Sequence, residues 1–278
     1  MSNSIGTEWI DRIVPGDCVE LMKAMPKDSV PLVVTSPPYG TMRDYGGHKF
    51  DAKAVIKGVC DVVKPGGIVV WVERDQVHKM LCSCSTFANL KRFKDCGMSL
   101  VVPLVMHRIG LRLTQPRHYG APEFAFVMSK GPPRSCSVIR DRRNKTAGQF
   151  VRYSKRLVDG TVSITKSGKM TKEFGPRPPV WEYPTGSFNS ARDSIAFEHP
   201  AIMAESMAED LINSFSRPGD LVFDPMAGSG TTAKMAILNH RRFLGFEVHE
   251  PYVAIANERV RIAQDEVQRK LDEAWNAA

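Results

Sequence analysis

Two short loops hold the residues in this sequence whose types and spacing could carry chemistry. The first, residues 224–232 (DPMAGSGTT), follows an apolar run and opens a predicted helix. Gly228 and Gly230 would let a ligand approach the backbone, and the free N–H groups of a helix N-terminus suit an anion. Because the loop has neither a GK[ST] ending nor GxGxxG spacing, a diphosphate is disfavoured. We infer an adenosine with a carboxylate tail, its ribose held by Glu247, seventeen residues past Gly230.

The second loop, residues 35–40 (TSPPYG), follows another short apolar run. Two consecutive prolines make the loop stiff and end the strand before it. The Ser36 hydroxyl and nearby carbonyl groups could accept hydrogen bonds from an amino group, and the ring of Tyr39 could stack on a flat group. An exocyclic amine can attack an activated methyl group directly, so this chemistry needs no cysteine nucleophile.

Strands and helices alternate along the sequence, which predicts a mainly parallel sheet covered by helices. The predicted strands are residues 9–14, 30–35, 68–72, 99–106, 123–128, 221–224 and 243–247. The predicted helices run to residue 25 and over residues 52–63, 76–95, 202–215, 231–239 and 251–275. Both loops would then lie at carboxyl ends of strands, where open α/β sheets bind ligands. We therefore expect the two loops to meet in one cavity.

The positive charge is concentrated in one segment. Between residues 130 and 178 there are thirteen Lys and Arg against three acidic residues, a local balance of +10 in a chain whose formal charge is +8. The remainder is thus slightly negative, at −2, as expected for a nearly neutral catalytic body with a segment that binds a polyanion. A solvated basic loop is the simpler alternative. We divide the 278 residues into a catalytic half (1–130), a basic, loop-rich target-recognition insert (131–179) and a cofactor-binding half (180–278).

Composition excludes several other classes of protein. No stretch approaches the ~20 consecutive apolar residues of a membrane span, and the first residues lack a secretory pattern, so we expect a cytoplasmic location. The six cysteines contain no CxxC pair, which argues against a zinc site and a disulfide framework. We accordingly assign no metal.

The two loops, in this order, resemble those of the DNA amino-methyltransferases. The likeness rests on TSPPYGTMRDYG, DPMAGSGTTAKMAI and RRFLGFEVHEPYVAIANERV, in the permuted arrangement that places the catalytic loop before the cofactor loop. The resemblance implies a Rossmann-like, S-adenosylmethionine-dependent methyltransferase fold, with a mostly parallel seven-stranded sheet in which strand 9–14 lies beside strand 243–247. It also implies transfer of a methyl group to the amine of a flipped DNA base.

The resemblance further implies site residues. The implied catalytic residues are Ser36, Pro37, Pro38 and Tyr39. The implied S-adenosylmethionine-binding residues are Asp17, Thr35, His199, Pro200, Phe223, Asp224, Pro225, Ala227, Gly228, Gly230, Thr231, Thr232 and Glu247. For contacts with double-stranded DNA we select Arg43, Arg108, Arg112, Arg117, Arg140, Arg142, Arg143, Lys145, Arg152, Lys155 and Arg156.

The target base and the partners are less sharply indicated. Ser36 in place of an aspartate, together with the continuation through Arg43, Asp44, Tyr45 and Gly46, most resembles the members of this family that act on cytosine, and this resemblance favours N4 of cytosine over N6 of adenine. The sequence departs from the family after His199-Pro200, where a Lys-Pro pair is common, and at Met226, where Phe is usual. These departures keep open a nucleic-acid-binding protein without catalysis, and RNA as a substrate. A homodimer and a cognate restriction endonuclease are further expected partners.

Overall fold

The computed structural model describes residues 5–38, 47, 50–79, 81–109, 122–186 and 189–277. Their strands are β1 (Arg12–Pro15), β2 (Val30–Thr35), β3 (Val63–Arg74), β4 (Val77–His78), β5 (Leu81–Cys82), β6 (Ser99–Ile109), β7 (Glu123–Ser129), β8 (Arg142–Arg143), β9 (Phe150–Arg156), β10 (Val162–Met170), β11 (Phe174–Gly175), β12 (Val180–Pro184), β13 (Leu221–Asp224) and β14 (Arg242–Glu247). Their helices are α1 (Cys18–Ala24), α2 (Ala52–Val62), α3 (Ser85–Asp95), α4 (Glu205–Phe215), α5 (Thr231–Leu238) and α6 (Glu250–Asn276), with a 3₁₀ turn at Ser194–Glu198.

The main sheet has the strand order β1-β14-β13-β2-β3-β7-β6-β12. Five of its seven pairings are parallel, and the two that involve β7 are antiparallel. The α/β prediction is therefore confirmed. So is the neighbourhood implied by the permuted order, because β1 pairs with β14 in parallel, Ile13 opposite Gly245.

The expected number of strands was wrong by one, because the sheet has eight. The additional strand, β12, pairs with β6 and buries Trp181 and Tyr183 on one face while its neighbours stay exposed. Its sequence, VWEYP, alternates as a strand should. Prolines at 178, 179 and 184 flank or end it, which gave this stretch the composition of a loop.

Two groups of helices cover the sheet. Helix α2 contacts both α1 and α3, and the three helices place Met22, Val59 and Phe93 in a core cluster with Trp71 and Phe246. Helices α4, α5 and α6 also contact one another in sequence, and α4 contacts β2. Coverage by helices explains why the central parallel strands are almost continuously apolar instead of alternating.

The predicted helix over residues 76–95 was wrong in its first half. Strand β4 pairs with β5 in antiparallel fashion, and α3 begins only at Ser85, after Cys84 in the left-handed conformation (φ 53°). The cause is Asp75, whose carboxylate accepts hydrogen bonds from the Ser83 and Ser85 hydroxyls and from the backbone N–H of Thr86. Such side-chain bonds compete with the helical pattern and define a later start.

Residues 138–178 form a compact unit of their own. Two antiparallel pairs, β9 with β10 and β8 with β11, run through this basic segment, which the sequence predicts to be irregular. Strands with exposed side chains on both faces carry no alternation of apolar and polar residues, so their signal was missed. None of the helices within the described ranges is long and apolar enough to cross a membrane.

Gly230 provides a test of how the loop of residues 224–232 packs against α6. Its φ is +75°, and an added Cβ would lie 2.9 Å from the Cα and Cβ of Ala256 on α6. We expect Gly230→Ala to lower the free energy of unfolding by about 2–4 kcal/mol, the sum of left-handed strain and overpacking. Gly97→Ala is the control, because its φ is +85° with nothing within 4 Å. Equal losses in urea titrations of both variants would show that the α5–α6 contact is unimportant.

Candidate active site

The two loops that the sequence singles out meet at one edge of the sheet. Strands β2 and β13 are parallel neighbours, with Val33 opposite Phe223, so the segments that follow them leave the sheet at the same edge. The Thr35 hydroxyl at the end of β2 donates a 2.7 Å hydrogen bond to the Asp224 carboxylate at the end of β13. The predicted meeting of the loops is confirmed.

A cavity of about 1050 Å³ opens where the loops meet. Ser36, Pro37 and Pro38 line it from one loop. The residues expected to bind the cofactor that also line the cavity are Asp17, His199, Pro200, Asp224, Pro225, Ala227, Gly228, Thr231, Thr232 and Glu247. Phe50, Phe197 and Met203 are among the apolar residues of its wall. A cleft with apolar walls and a few convergent polar groups has the character of a small-molecule site.

Three residues expected in the cofactor site do not line the cavity. Phe223 is fully buried and packs edge-on against Phe246, with ring centroids 4.9 Å apart, because alternate residues of β13 face the core. Gly230 faces Ala256 of α6, so its missing side chain serves helix packing instead of ligand approach. Thr35 is fully buried, and its hydroxyl reaches Asp224. These three residues lie outside the cavity wall, and their contact with a cofactor stays a prediction.

Several expected site residues lie outside the described residues. These are Tyr39, Arg43, Arg112 and Arg117. Stacking by Tyr39 and DNA contacts by the three arginines therefore stay predictions.

Asp224 is the most perturbed acid of the site. Burial raises the pKa of its carboxyl group to about 6, against hydrogen bonds from Thr35, Thr232 and the Met226 backbone N–H, which favour the ionised form. Desolvation is thus the dominant effect on this pKa. Asp224 thus links Thr35, at the end of β2, to Met226 and Thr232.

Glu247 and Asp17 shape the cavity wall through backbone hydrogen bonds. One Glu247 oxygen accepts from the Gly228 N–H at 2.8 Å and the other from the His249 N–H at 2.9 Å. Asp17 is the N-cap of α1 and accepts from Val19 and Glu20 through a single oxygen. Because each carboxylate oxygen has two lone pairs, both acids can accept further hydrogen bonds from hydroxyl groups of a ligand.

His199 forms part of the cavity wall beside the loop of residues 224–232, which we call the glycine loop. It is 8% exposed, its ring lies 4.3 Å from that of Tyr252, and its Nδ1 accepts from the Ala201 N–H. An added Cβ on Gly228 would lie 3.0 Å from its Nε2. Gly228, with φ +51°, therefore allows the loop to pass against the imidazole ring, which is a use of glycine that the sequence did not reveal.

A buried cluster of four charges lies directly behind the loop, and sequence reasoning missed it. Lys234 contacts Asp193 at 2.5 Å and Glu205 at 2.6 Å, while Arg259 contacts the same two acids at 2.9 and 2.7 Å. The Arg259 guanidinium also donates to the Ser229 carbonyl at 2.8 Å and to the Thr231 hydroxyl at 2.9 Å. The cluster thus connects α4, α5 and α6 to the backbone of the glycine loop. In the sequence these residues look like ordinary surface charges of amphipathic helices.

A second group of charges lies at the ends of β3, β6 and β7. Arg74, Arg108 and Glu123 all line the cavity. Arg108 was assigned to DNA, and the structure places it in a 2.6 Å ion pair with Glu123, its side chain only 16% exposed. The remaining basic residues of the expected DNA set are exposed within the unit 138–178, namely Arg140, Arg142, Arg143, Lys145, Arg152, Lys155 and Arg156.

Comparison with known proteins shows the family to which the chain belongs. The family model of the DNA methylases that modify N6 or N4 matches residues 30–258, which include both loops. The chain belongs to this DNA methylase family. An orphan methyltransferase of Bacillus amyloliquefaciens, M.BamHII, is 39% identical over 236 residues, covering 84% of this chain and 89% of the relative.

Solved structures of DNA methylases share the fold. The cytosine-N4-specific PvuII DNA methyltransferase matches with a TM-score of 0.63 and 20% identity, covering 98% of this chain and 94% of its own. A Thermus thermophilus protein assigned as a DNA modification methylase, solved with S-adenosyl-L-methionine, matches with a TM-score of 0.59 and 24% identity, covering 91% and 95% of the two chains. The methyltransferase fold expected from the resemblance is therefore confirmed.

The raised pKa of Asp224 predicts how stability depends on pH. Its folded-state pKa of about 6 lies above the ordinary value of 3.8, so the folded state disfavours the charged form. Asp224→Asn removes this group. As the pH falls from about 6 to about 4, the free energy of unfolding of the wild type should rise by on the order of 3 kcal/mol relative to that of the variant. Above about pH 6 the difference between the two proteins should stay constant. Urea unfolding at a series of pH values measures this, and parallel curves for the two proteins would contradict a buried charge at Asp224.

The charge cluster predicts a second stability effect. Arg259→Met leaves two buried acids with one cation and should cost about 3–5 kcal/mol of unfolding free energy. It should also speed amide hydrogen exchange at residues 229–231, because the loop loses its hydrogen bonds to the guanidinium. Arg241→Met is the matched control, since Arg241 donates instead to Ser216 and to the Asn239 carbonyl. Unchanged hydrogen exchange at these residues in the Arg259 variant would show that the charge cluster does not stabilise the loop.

Proposed function

We propose that this DNA methylase uses S-adenosyl-L-methionine to methylate the exocyclic amine of a flipped base in double-stranded DNA, with N4 of cytosine as the target. The observation that carries this proposal is the Thr35–Asp224 hydrogen bond, which joins the Ser36-Pro37-Pro38 turn and the glycine loop in one cavity. Any group held by one loop is then within reach of a group held by the other.

The residues of the cavity fit the expected cofactor. Glu247 and Asp17 have carboxylate lone pairs for ribose or adenine donors, and the N-terminus of α5 at Thr231 and Thr232 suits a carboxylate. Apolar residues such as Phe246 and Met226 line the same space. When bound, S-adenosyl-L-methionine would supply a positively charged sulfonium with a transferable methyl group. The volume of about 1050 Å³ exceeds the common range of ~300–1,000 Å³ for one small ligand, which leaves room for a base.

The catalytic loop would position the amine. In our proposal Tyr39 stacks on the extruded base, because an amine that remains paired in the duplex cannot reach the cavity. The Ser36 hydroxyl and the Pro37 carbonyl accept the N–H hydrogens of the amine, which directs the nitrogen lone pair toward the methyl group. The bond from nitrogen to the methyl carbon would form as the sulfur–methyl bond breaks to leave a neutral thioether, and the surplus amine proton would pass to water. Alignment and the fixed dipoles of a partly closed site would then supply most of the rate increase.

Ser36 supports cytosine as the target. A hydroxyl both donates and accepts, whereas an aspartate at this position only accepts. N6 of adenine is the second candidate, since the family includes enzymes of both types. We assign recognition of a short DNA sequence to the exposed basic residues of the unit 138–178, most of which would contact phosphates. Pairing with a restriction endonuclease and formation of a homodimer stay predictions.

The test is to map modified bases in DNA from cells that express the chain. We expect N4-methylcytosine in one short sequence context. Tyr39→Ala should lower the methylation rate roughly ten- to a hundredfold, the range of base–aromatic stacking, while Trp275→Ala, an exposed aromatic on α6, should not. Methylated adenine would overturn the base assignment. No modified base, together with normal S-adenosyl-L-methionine binding by calorimetry, would favour a binding protein without catalysis.

A further inference from the structure

Three charged side chains from β3, β6 and β7 line the cavity and have no role in the chemistry described so far. They are Arg74 at the end of β3, Glu123 at the start of β7 and Arg108 near the end of β6. They share the cavity with Ser36, Pro37 and Pro38. Two cations and one anion give this end a balance of +1, and we refer to it as the Arg74 end.

The strand register places the Arg74 end next to the catalytic loop. Thr35 lies opposite Trp71 in the parallel β2–β3 pair, and β3 continues three residues further, to Arg74, on the side where residues 36–38 leave β2. Arg74 lies opposite Glu123, which in turn lies opposite Met106 of β6, two residues before Arg108. Four neighbouring chain segments therefore deliver these side chains to the same edge of the sheet.

The residues on either side of Arg74 fix its direction. Glu73 is 3% exposed and accepts hydrogen bonds from the Trp71 indole at 2.8 Å and from the Asn89 amide on α3. Asp75 is 4% exposed and accepts from the Thr86 hydroxyl of α3 at 2.7 Å. Because successive side chains of a strand point to opposite faces, two acids anchored toward α3 hold Arg74 on the other face, in the cavity.

The Arg108–Glu123 pair makes a firm wall for this space. Arg108 Nε lies 2.6 Å from one Glu123 oxygen and its NH2 lies 3.3 Å from the other, a two-point contact between side chains that are 16% and 5% exposed. A bidentate pair of this kind is geometrically rigid. Arg74 then brings a second guanidinium, which is a planar fork of N–H donors and accepts nothing.

We propose that Arg74 reads the ring edge of the target cytosine by donating to its O2 and N3 atoms, with the Arg108–Glu123 pair as the wall behind the ring. This inference rests on the proposed function and names its specificity residue. Cytosine presents O2 and N3 as adjacent acceptors beside the N4 amine, which matches a guanidinium fork. Adenine presents N1 between the amine and a C–H group, so the same fork meets one acceptor. Arg74 therefore favours cytosine for a reason independent of Ser36.

The first arm of the experiment measures methyl transfer from S-adenosyl-L-methionine to an oligonucleotide duplex that contains the mapped target sequence. Arg74→Met should lower kcat/KM about ten- to a hundredfold, the discrimination expected of one bidentate base contact. Arg74→Lys should recover part of the loss, because an ammonium can still donate to one acceptor. Arg261→Met, an exposed arginine of α6, is the control and should retain full activity. Calorimetric binding of S-adenosyl-L-methionine by the Arg74 variants should match the wild type, which excludes a folding defect.

The second arm replaces the target cytosine by 3-deazacytosine, which has C–H in place of N3. If Arg74 donates to N3, Arg74→Met should lower kcat/KM by a smaller factor on this duplex than on the cytosine duplex, because the hydrogen bond to N3 is already absent and only the one to O2 can still be lost. Equal losses on both duplexes would overturn the proposal, and a salt dependence reduced by about one phosphate contact would then assign Arg74 to the DNA backbone. Mapping that finds N6-methyladenine instead would refute the proposed base without involving the Arg74 variants, so the two failures are distinguishable.

Discussion

Thr35 and Asp224 lie 189 positions apart in the chain, and the hydrogen bond between them fixes where the two functional loops meet. Both residues are almost fully buried, so the bond forms in a medium where an unpaired polar group would be expensive. Burial raises the pKa of the Asp224 carboxyl group, which measures how strongly this position opposes a charge. The loops are thus held together by a contact whose loss would leave a carboxylate without one of its donors.

Electrostatic interactions also hold the glycine loop in place behind this contact. Asp193, Glu205, Lys234 and Arg259 form a nearly balanced cluster, and Arg259 extends from it to the Ser229 carbonyl. Burial alone would raise the pKa of the Asp193 carboxyl group, yet hydrogen bonds and charges from Lys234 and Arg259 lower it. Buried ion pairs add little net stability compared with apolar residues of similar volume, but their fixed geometry can select one arrangement of the backbone. We attribute the position of the glycine loop to this selection.

Two groups of polar and charged residues line the cavity from different elements. Asp17, His199 and Glu247 shape the end beside the glycine loop, whereas Arg74, Arg108 and Glu123 line the same cavity from β3, β6 and β7. The first group carries acceptors and backbone amides suited to an adenosine. The second carries donors suited to a pyrimidine edge. Ser36, Pro37 and Pro38 line the same cavity as both groups.

Sequence alone determined the parts of this protein that are encoded locally. The apolar runs of β2 and β13, the glycine and proline loops that follow them and the helices after those loops are each specified by neighbouring residues, and they gave the fold class and the family. The start of α3 and strand β12 were missed, because the hydrogen bonds of Asp75 and the pairing of β12 with β6 depend on the folded chain.

Only the tertiary structure decided which side chains share the cavity. Phe223 and Gly230 lie in or beside the cofactor loop in the sequence, but the packing of β13 and α5 directs them to Phe246 and Ala256. Arg74 and Arg259 resemble the many other charged residues of the chain until strand register and helix packing bring them to the cavity and to the loop behind it. Local sequence fixes φ, ψ and hydrophobic pattern, whereas contacts between distant residues depend on how the elements pack, which no short stretch of residues specifies.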